Sequence, residues 1–100
     1  MNLSSLGRDP SLLILASLAG GEKHGYAMME DIEAMTGLRL GPGTLYGALN
    51  RLEERGFIEA LPSDDRRRPY RLTPTGLAAF REQMNSLHQF TTIGLKRLEG

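Results

Sequence analysis

Apolar residues along this chain fall into four helical stretches and two short extended ones. Asp9-Pro10 has the form of an N-cap followed by a first-turn proline, whose missing N–H costs nothing there, and Gly20-Gly21 supplies a stop. A first helix is predicted over residues 10–19, PSLLILASLA, apolar nearly all round and therefore covered by another element. Glu22–His24 read as a short connection. A second helix follows from Gly25 to Thr36, with Met28, Ile32 and Met35 on one face and Glu30, Asp31 and Glu33 mostly opposite; Gly37 ends it. The methionines read as core filler.

The stretch 41–58, GPGTLYGALNRLEERGFI, organises the rest. Residues 38–41 link to it, Pro42 takes a first helical position, and Leu45, Leu49 and Leu52 recur as one buried stripe of a third helix. Thr44, Gly47, Ala48 and Arg51 are expected away from that stripe, and Gly56 stops the helix. Two extended runs, Phe57–Leu61 and Tyr70–Thr73, flank PSDDRRRP, which is too polar and proline-rich for a strand interior; the pair predicts a β-hairpin with a charged tip. Thr73-Pro74 repeats the cap-plus-proline signal and starts a fourth helix. In it Leu77, Phe80, Met84, Leu87, Thr91, Gly94 and Leu98 alternate at spacings of three and four, broadened by Phe90, Ile93 and Leu95. A helix of about 25 residues outruns so small a core, so its far half is expected to pack on a second copy. Thr91 and Gly94 weaken that seam and argue against a long regular coiled coil.

The predicted fold is thus mainly α with a small β-hairpin. Its order, three helices, hairpin, helix, is that of a winged helix-turn-helix carrying a long C-terminal dimerisation helix. Residues 1–74 form the expected DNA-binding domain and 75–100 the dimerisation helix. In such a module the third helix enters the major groove. Its N-terminus at 41–44 offers unpaired N–H groups to a phosphate; Gly43 lets the backbone approach and Thr44 adds a hydroxyl. Tyr46 and Asn50 carry polar tips on adjoining faces, with Arg51 further along. Arg66, Arg67 and Arg68 at the hairpin tip suit phosphate pairing or a narrow minor groove, against the opposing charge of Asp64 and Asp65.

Composition sharpens this picture at a few points. The 100 residues allow one domain with a modest core, and 40% hydrophobic content is too high for a disordered tail. There is no cysteine, which excludes disulfides and thiolate chemistry. Net charge is zero, weak by itself as a sign of nucleic-acid binding, but residues 66–71 hold four arginines and no acid. Leu12–Ala19, the longest near-continuous apolar run, is too short for a bilayer, which needs about 20 residues; Asp9 beside Arg8 argues against a signal peptide, and a cytoplasmic protein is expected. His24 and His88 are the only histidines, with no nucleophile motif or carboxylate pair beside either and no metal-ligand cluster, so neither catalysis, a cofactor nor a metal is expected. His24 is expected at a helix start, toward solvent or phosphate, and His88 at the edge of the dimer seam. The rival reading is a winged helix that binds protein. Arg51 and Arg66–Arg68 converging with the start of the third helix would favour DNA; Asp64, Asp65, Glu53 and Glu54 sharing that surface would favour protein.

HGY at 24–26, GTLY at 43–46, the run from Leu49 to Ile58 (LxxLExxGxI when read from its leucines) and YRLTPTG at 70–76 resemble the PadR family of bacterial transcriptional regulators. The motifs cover about two thirds of the chain in the family's order. The resemblance implies a winged-helix repressor, dimeric through its first and last helices, which brings Leu12 and Leu15 to the interface alongside Met84, Leu87, Phe90, Thr91, Leu95 and Leu98. It places Tyr26, Thr44 and Tyr46 near the DNA backbone beside the wing arginines; His24, at the start of the second helix, is expected to add a phosphate contact with Tyr26. A chain ending at Gly100 resembles the family's short branch, which lacks a large C-terminal domain and places effectors, where they exist, between subunits. Some such effectors are flat aromatic compounds; here there is no Trp, Phe90 is the main aromatic of that region, and the residues give an effector no support. Two positions depart from the family pattern. Gly47 replaces a common Pro, which softens the third helix, and Pro69 replaces a common aromatic, which removes one strand contact of the hairpin.

Overall fold

The structure, a computed structural model, describes residues 9–64 and 66–100. Its order is α1 (Pro10–Ala19), β1 (Lys23–His24), α2 (Gly25–Thr36), α3 (Pro42–Glu54), β2 (Ile58–Ala60), β3 (Pro69–Leu72) and α4 (Pro74–Leu98). This is a winged helix followed by a long C-terminal helix. Arg8 and Asp65, both weighed above, lie outside the described residues, as does the start of the expected first domain.

α1 and α4 begin where their capping chemistry says. The Asp9 carboxylate accepts from the Ser11 N–H at 3.0 Å, and Thr73 Oγ1 accepts from the Gly76 N–H at 3.0 Å, in both cases ahead of a proline at the helix start. Gly37 closes α2 at φ 75°, a left-handed conformation that glycine adopts without Cβ strain.

α1 packs against α2, α3, α4 and β3, which explains a helix apolar on nearly every side. The core joins Leu13, Ile14, Leu15 and Leu18 of α1 to Met28, Met29 and Ile32 of α2 and to Leu45, Ala48, Leu49 and Leu52 of α3, with Ile58 below. Three details differ from the periodic reading. Ala48 is fully buried, because three residues after Leu45 it falls on the same face and lets the helices approach closely. On α2 the buried arc is Met28, Met29 and Ile32, since α2 packs on both α1 and α3; Met35, in the last turn, is 47% exposed. Leu40, expected only as linker, is buried and pins the α2–α3 turn to the core.

The hairpin gains a third strand. β1, expected as a connection, pairs antiparallel with β3 through Lys23↔Tyr70 and His24↔Pro69, while β3 pairs on its other side with β2. Two residues carry no alternation to reveal a strand. The pairing ties the entry of α2 to the wing. Pro69 pairs with His24 as the first residue of its strand, where its missing N–H is tolerated, and just past the end of β2 its carbonyl accepts from the Leu61 N–H at 2.8 Å. Gly47 leaves α3 unbroken from Pro42 to Glu54.

The wing is fastened to α4 at a crowded junction. Thr73 Oγ1 donates to the Gly56 carbonyl at 2.6 Å and the Thr73 N–H to that of Phe57 at 3.1 Å. A Cβ at Gly76 would collide with the Phe57 carbonyl, so only glycine fits there. Beyond this junction α4 leaves the core. Phe80 packs on it, and Met84 and Leu87 are half-buried, but every residue from His88 onward is exposed.

Candidate nucleic-acid interface

The start of α2, Tyr46 of α3 and the wing line a cleft of about 480 Å³. β1 delivers His24 to the N-cap of α2, where Nδ1 accepts from the Ala27 N–H at 3.3 Å. That bond places the imidazole proton on Nε2 and leaves this nitrogen as a donor. The next residue, Gly25, explains the glycine of the HGY motif. A Cβ there would stand 2.5 Å from Tyr46 Oη, 2.9 Å from its Cζ and 3.3 Å from Leu45 Cδ2. The absence of a side chain lets the Tyr46 phenol lie against the start of α2.

Arg66, Arg67 and Arg68 close the cleft from the wing, and Tyr26 and Tyr70 complete its lining. All three tyrosines of the chain therefore meet three arginines in one concavity. Tyr70, on the central strand, is half-buried; burial first, then the charge of Glu53 and the neighbouring Tyr46, push its phenol above the usual value of 10, against the pull of Arg68. It remains a neutral hydroxyl at physiological pH. Lys23 is committed elsewhere: its ammonium donates to the Ser17 and Gly21 carbonyls at 2.5 and 3.2 Å, while Ser17 Oγ donates to Asp31 at 2.7 Å.

Of the expected site residues, the cleft brings together His24, Tyr26, Tyr46, Arg66, Arg67 and Arg68. Gly43, Thr44, Asn50 and Arg51 lie outside its lining, all exposed along α3. Helical spacing sets Gly43, Tyr46 and Asn50 in one row and Thr44, Gly47 and Arg51 in the next. Gly41 caps α3 without a side-chain hydrogen bond, and Pro42, the first helical residue, has no N–H to pair. Asp64 is exposed and absent from the cleft lining. Gly25 and Tyr70 were not anticipated as site residues. The signal for Gly25 lay in its place between His24 and Tyr26; Tyr70 read only as a strand residue.

The residues expected at a dimer interface divide in two. Leu12 and Leu15 are 9% and 6% exposed within the single chain. Met84 and Leu87 are half-buried, and Phe90, Thr91, Leu95 and Leu98 are exposed. The Thr91 hydroxyl donates to the His88 carbonyl at 2.9 Å, so its polarity is satisfied within α4. No helix among the described residues is long and apolar enough to cross a membrane.

Residues 14–82 match the transcriptional regulator PadR-like family. The chain is 41% identical over 81 residues to a transcriptional regulator of Mycobacterium tuberculosis, covering 78% of this chain and 75% of that protein. It is 44% identical over 79 residues to an uncharacterised 37.1 kDa protein of a Streptomyces fradiae transposon, covering 79% of this chain but only 23% of that longer protein. Among solved structures, a PadR family transcriptional regulator from Eggerthella lenta superposes with a TM-score of 0.77 at 29% identity, covering 97% of this chain and 88% of that one. A PadR-like transcriptional regulator from Bacillus cereus shares the fold at a TM-score of 0.81 and 22% identity, covering 97% and 98% of the two chains.

Proposed function

This chain belongs to the PadR-like family of transcriptional regulators, and on that premise we propose that it is a sequence-specific DNA-binding repressor acting as a homodimer on an inverted-repeat operator in the cytoplasm. The observation that carries the reading is the cleft in which Arg66–Arg68 face His24, Tyr26 and Tyr46. Three guanidinium forks and phenol hydroxyls, with the Nε2 donor of His24, suit a stretch of phosphate backbone. Beside it, α3 offers its N-terminal amides and Thr44 to an adjoining phosphate, and Asn50 and Arg51 to base edges in the major groove. In this reading residues 1–74 contact DNA, and residues 75–100 hold two copies together through Met84, Leu87, Phe90, Thr91, Leu95 and Leu98. Leu12 and Leu15 support that interface from within the chain.

The test is selection of bound duplexes from a random DNA library at moderate salt. An enriched inverted repeat with half-sites about one helical turn apart is the expected result. A folded, dimeric protein that enriches no duplex would contradict it and favour the protein-binding winged helix, toward which Glu53, close enough to act on Tyr70, points.

A further inference from the structure

At the edge of the cleft, the ring of Tyr26 is covered by a residue from outside it. Arg39 stands with Cζ 6.0 Å from the ring centroid, and its Nη1 donates to Glu33 Oε2 at 2.9 Å. Tyr26 and Glu33 are two helical turns apart on one face of α2, and the reversal at Gly37 returns Arg39 alongside that face. The turn is held firmly. Thr36 Oγ1 donates to the Ile32 carbonyl at 2.8 Å and accepts from the Leu38 N–H at 3.1 Å, and the buried Leu40 anchors the next residue.

We propose that Arg39 is a positioning residue for DNA: held by Glu33, it fixes the ring of Tyr26 so that the phenol meets a backbone phosphate already ordered. This rests on the DNA-binding reading above. Tyr26 is 52% exposed, so without a cover its ring would lose rotamer freedom on binding. A guanidinium can give an edge to a carboxylate and a face to a ring at once; an ammonium cannot. The charge of Arg39 is already balanced by Glu33, so the pair contributes order to the interface and no net charge.

The experiment uses the whole chain with ¹³C-labelled tyrosine rings and the duplex enriched by selection, with binding measured across a salt series. Expected for Arg39→Ala are a shifted Tyr26 ring signal in the free protein, affinity reduced about three- to fivefold, and an unchanged dependence of log K on log salt. Arg39→Lys does not restore affinity, and Arg39→Ala adds nothing in a Tyr26→Ala background. Glu33→Ala also weakens binding, although removal of an acid near DNA would by charge alone strengthen it. All three side chains are exposed, and unchanged melting temperatures would show that the fold is kept. A salt slope lowered by about 0.9, with Arg39→Lys restoring affinity, would make Arg39 a direct phosphate partner and overturn the proposal; an unmoved Tyr26 signal would overturn it too. If the wild-type chain binds no duplex while the ring signal still responds, the DNA reading falls and takes this role with it, but the contact itself stands.

Discussion

α3 and α4 handle their apolar faces in opposite ways. Leu45, Ala48, Leu49 and Leu52 of α3 are closed off within the chain, and what that helix turns outward is small, polar or charged, with Tyr46 and Arg51 followed by Glu53 and Glu54. α4 is satisfied only near its start. From Phe90 to Leu98 its large apolar side chains stand between 54% and 84% exposed. The difference teaches how one small chain divides its work. A helix whose leucines are closed off by its own core is free to turn its other face to a ligand, and one whose leucines remain in water is where the proposed second copy would pack.

The sharpest way to break the comparison is at the joint between the two regions. Gly76→Ala drives a methyl group into the Phe57 carbonyl, and a loss of about 3 kcal/mol, read by thermal unfolding, is expected; an unchanged melting temperature would mean that wing and α4 are not tightly joined. Next in size is Leu95→Asp. A charge in the proposed seam should weaken dimerisation about a hundredfold, seen by light scattering as monomers, with the melting of the winged helix little changed at high dilution. A persistent dimer would move the seam elsewhere. Replacing Arg66, Arg67 and Arg68 together by Ala should leave the dimer intact, weaken binding to every duplex and lower the salt slope by roughly 2 to 3; an unchanged slope removes the wing from the interface. The smallest effect is Gly47→Ala. Its Cβ would meet only Arg51 Nη1 at 3.6 Å, so the helix should gain about 1 kcal/mol and melt a few degrees higher, and a lower melting temperature would show that α3 needs its glycine.

Much of this was readable from residues alone because caps and stops are local. Asp9-Pro10, Gly37 and Thr73-Pro74 each act within one turn of chain, and the helix bounds followed from them. What periodicity missed depends on neighbours. Ala48 and Met29 are buried because two helices pack against theirs, and β1 exists only because β3 offers an open edge to two residues with no pattern of their own. The site behaves likewise. Arg66–Arg68 and Tyr46 stood out by type and position, but their meeting with Tyr70 required the wing to fold back on the start of α2. The close approach at Gly25, where Tyr46 lies on the backbone, is a contact between residues 21 positions apart. Nor does any local signal put Arg39 over Tyr26; the turn after α2 does that.

The most direct measurement is the mass of the complex in solution, by sedimentation, as the selected duplex is titrated with the whole chain. The account predicts two chains on each duplex, bound together, because α3 and the wing supply one half-site reader and α4 joins two of them. One chain per duplex, or a stable dimer that never joins DNA, would contradict it.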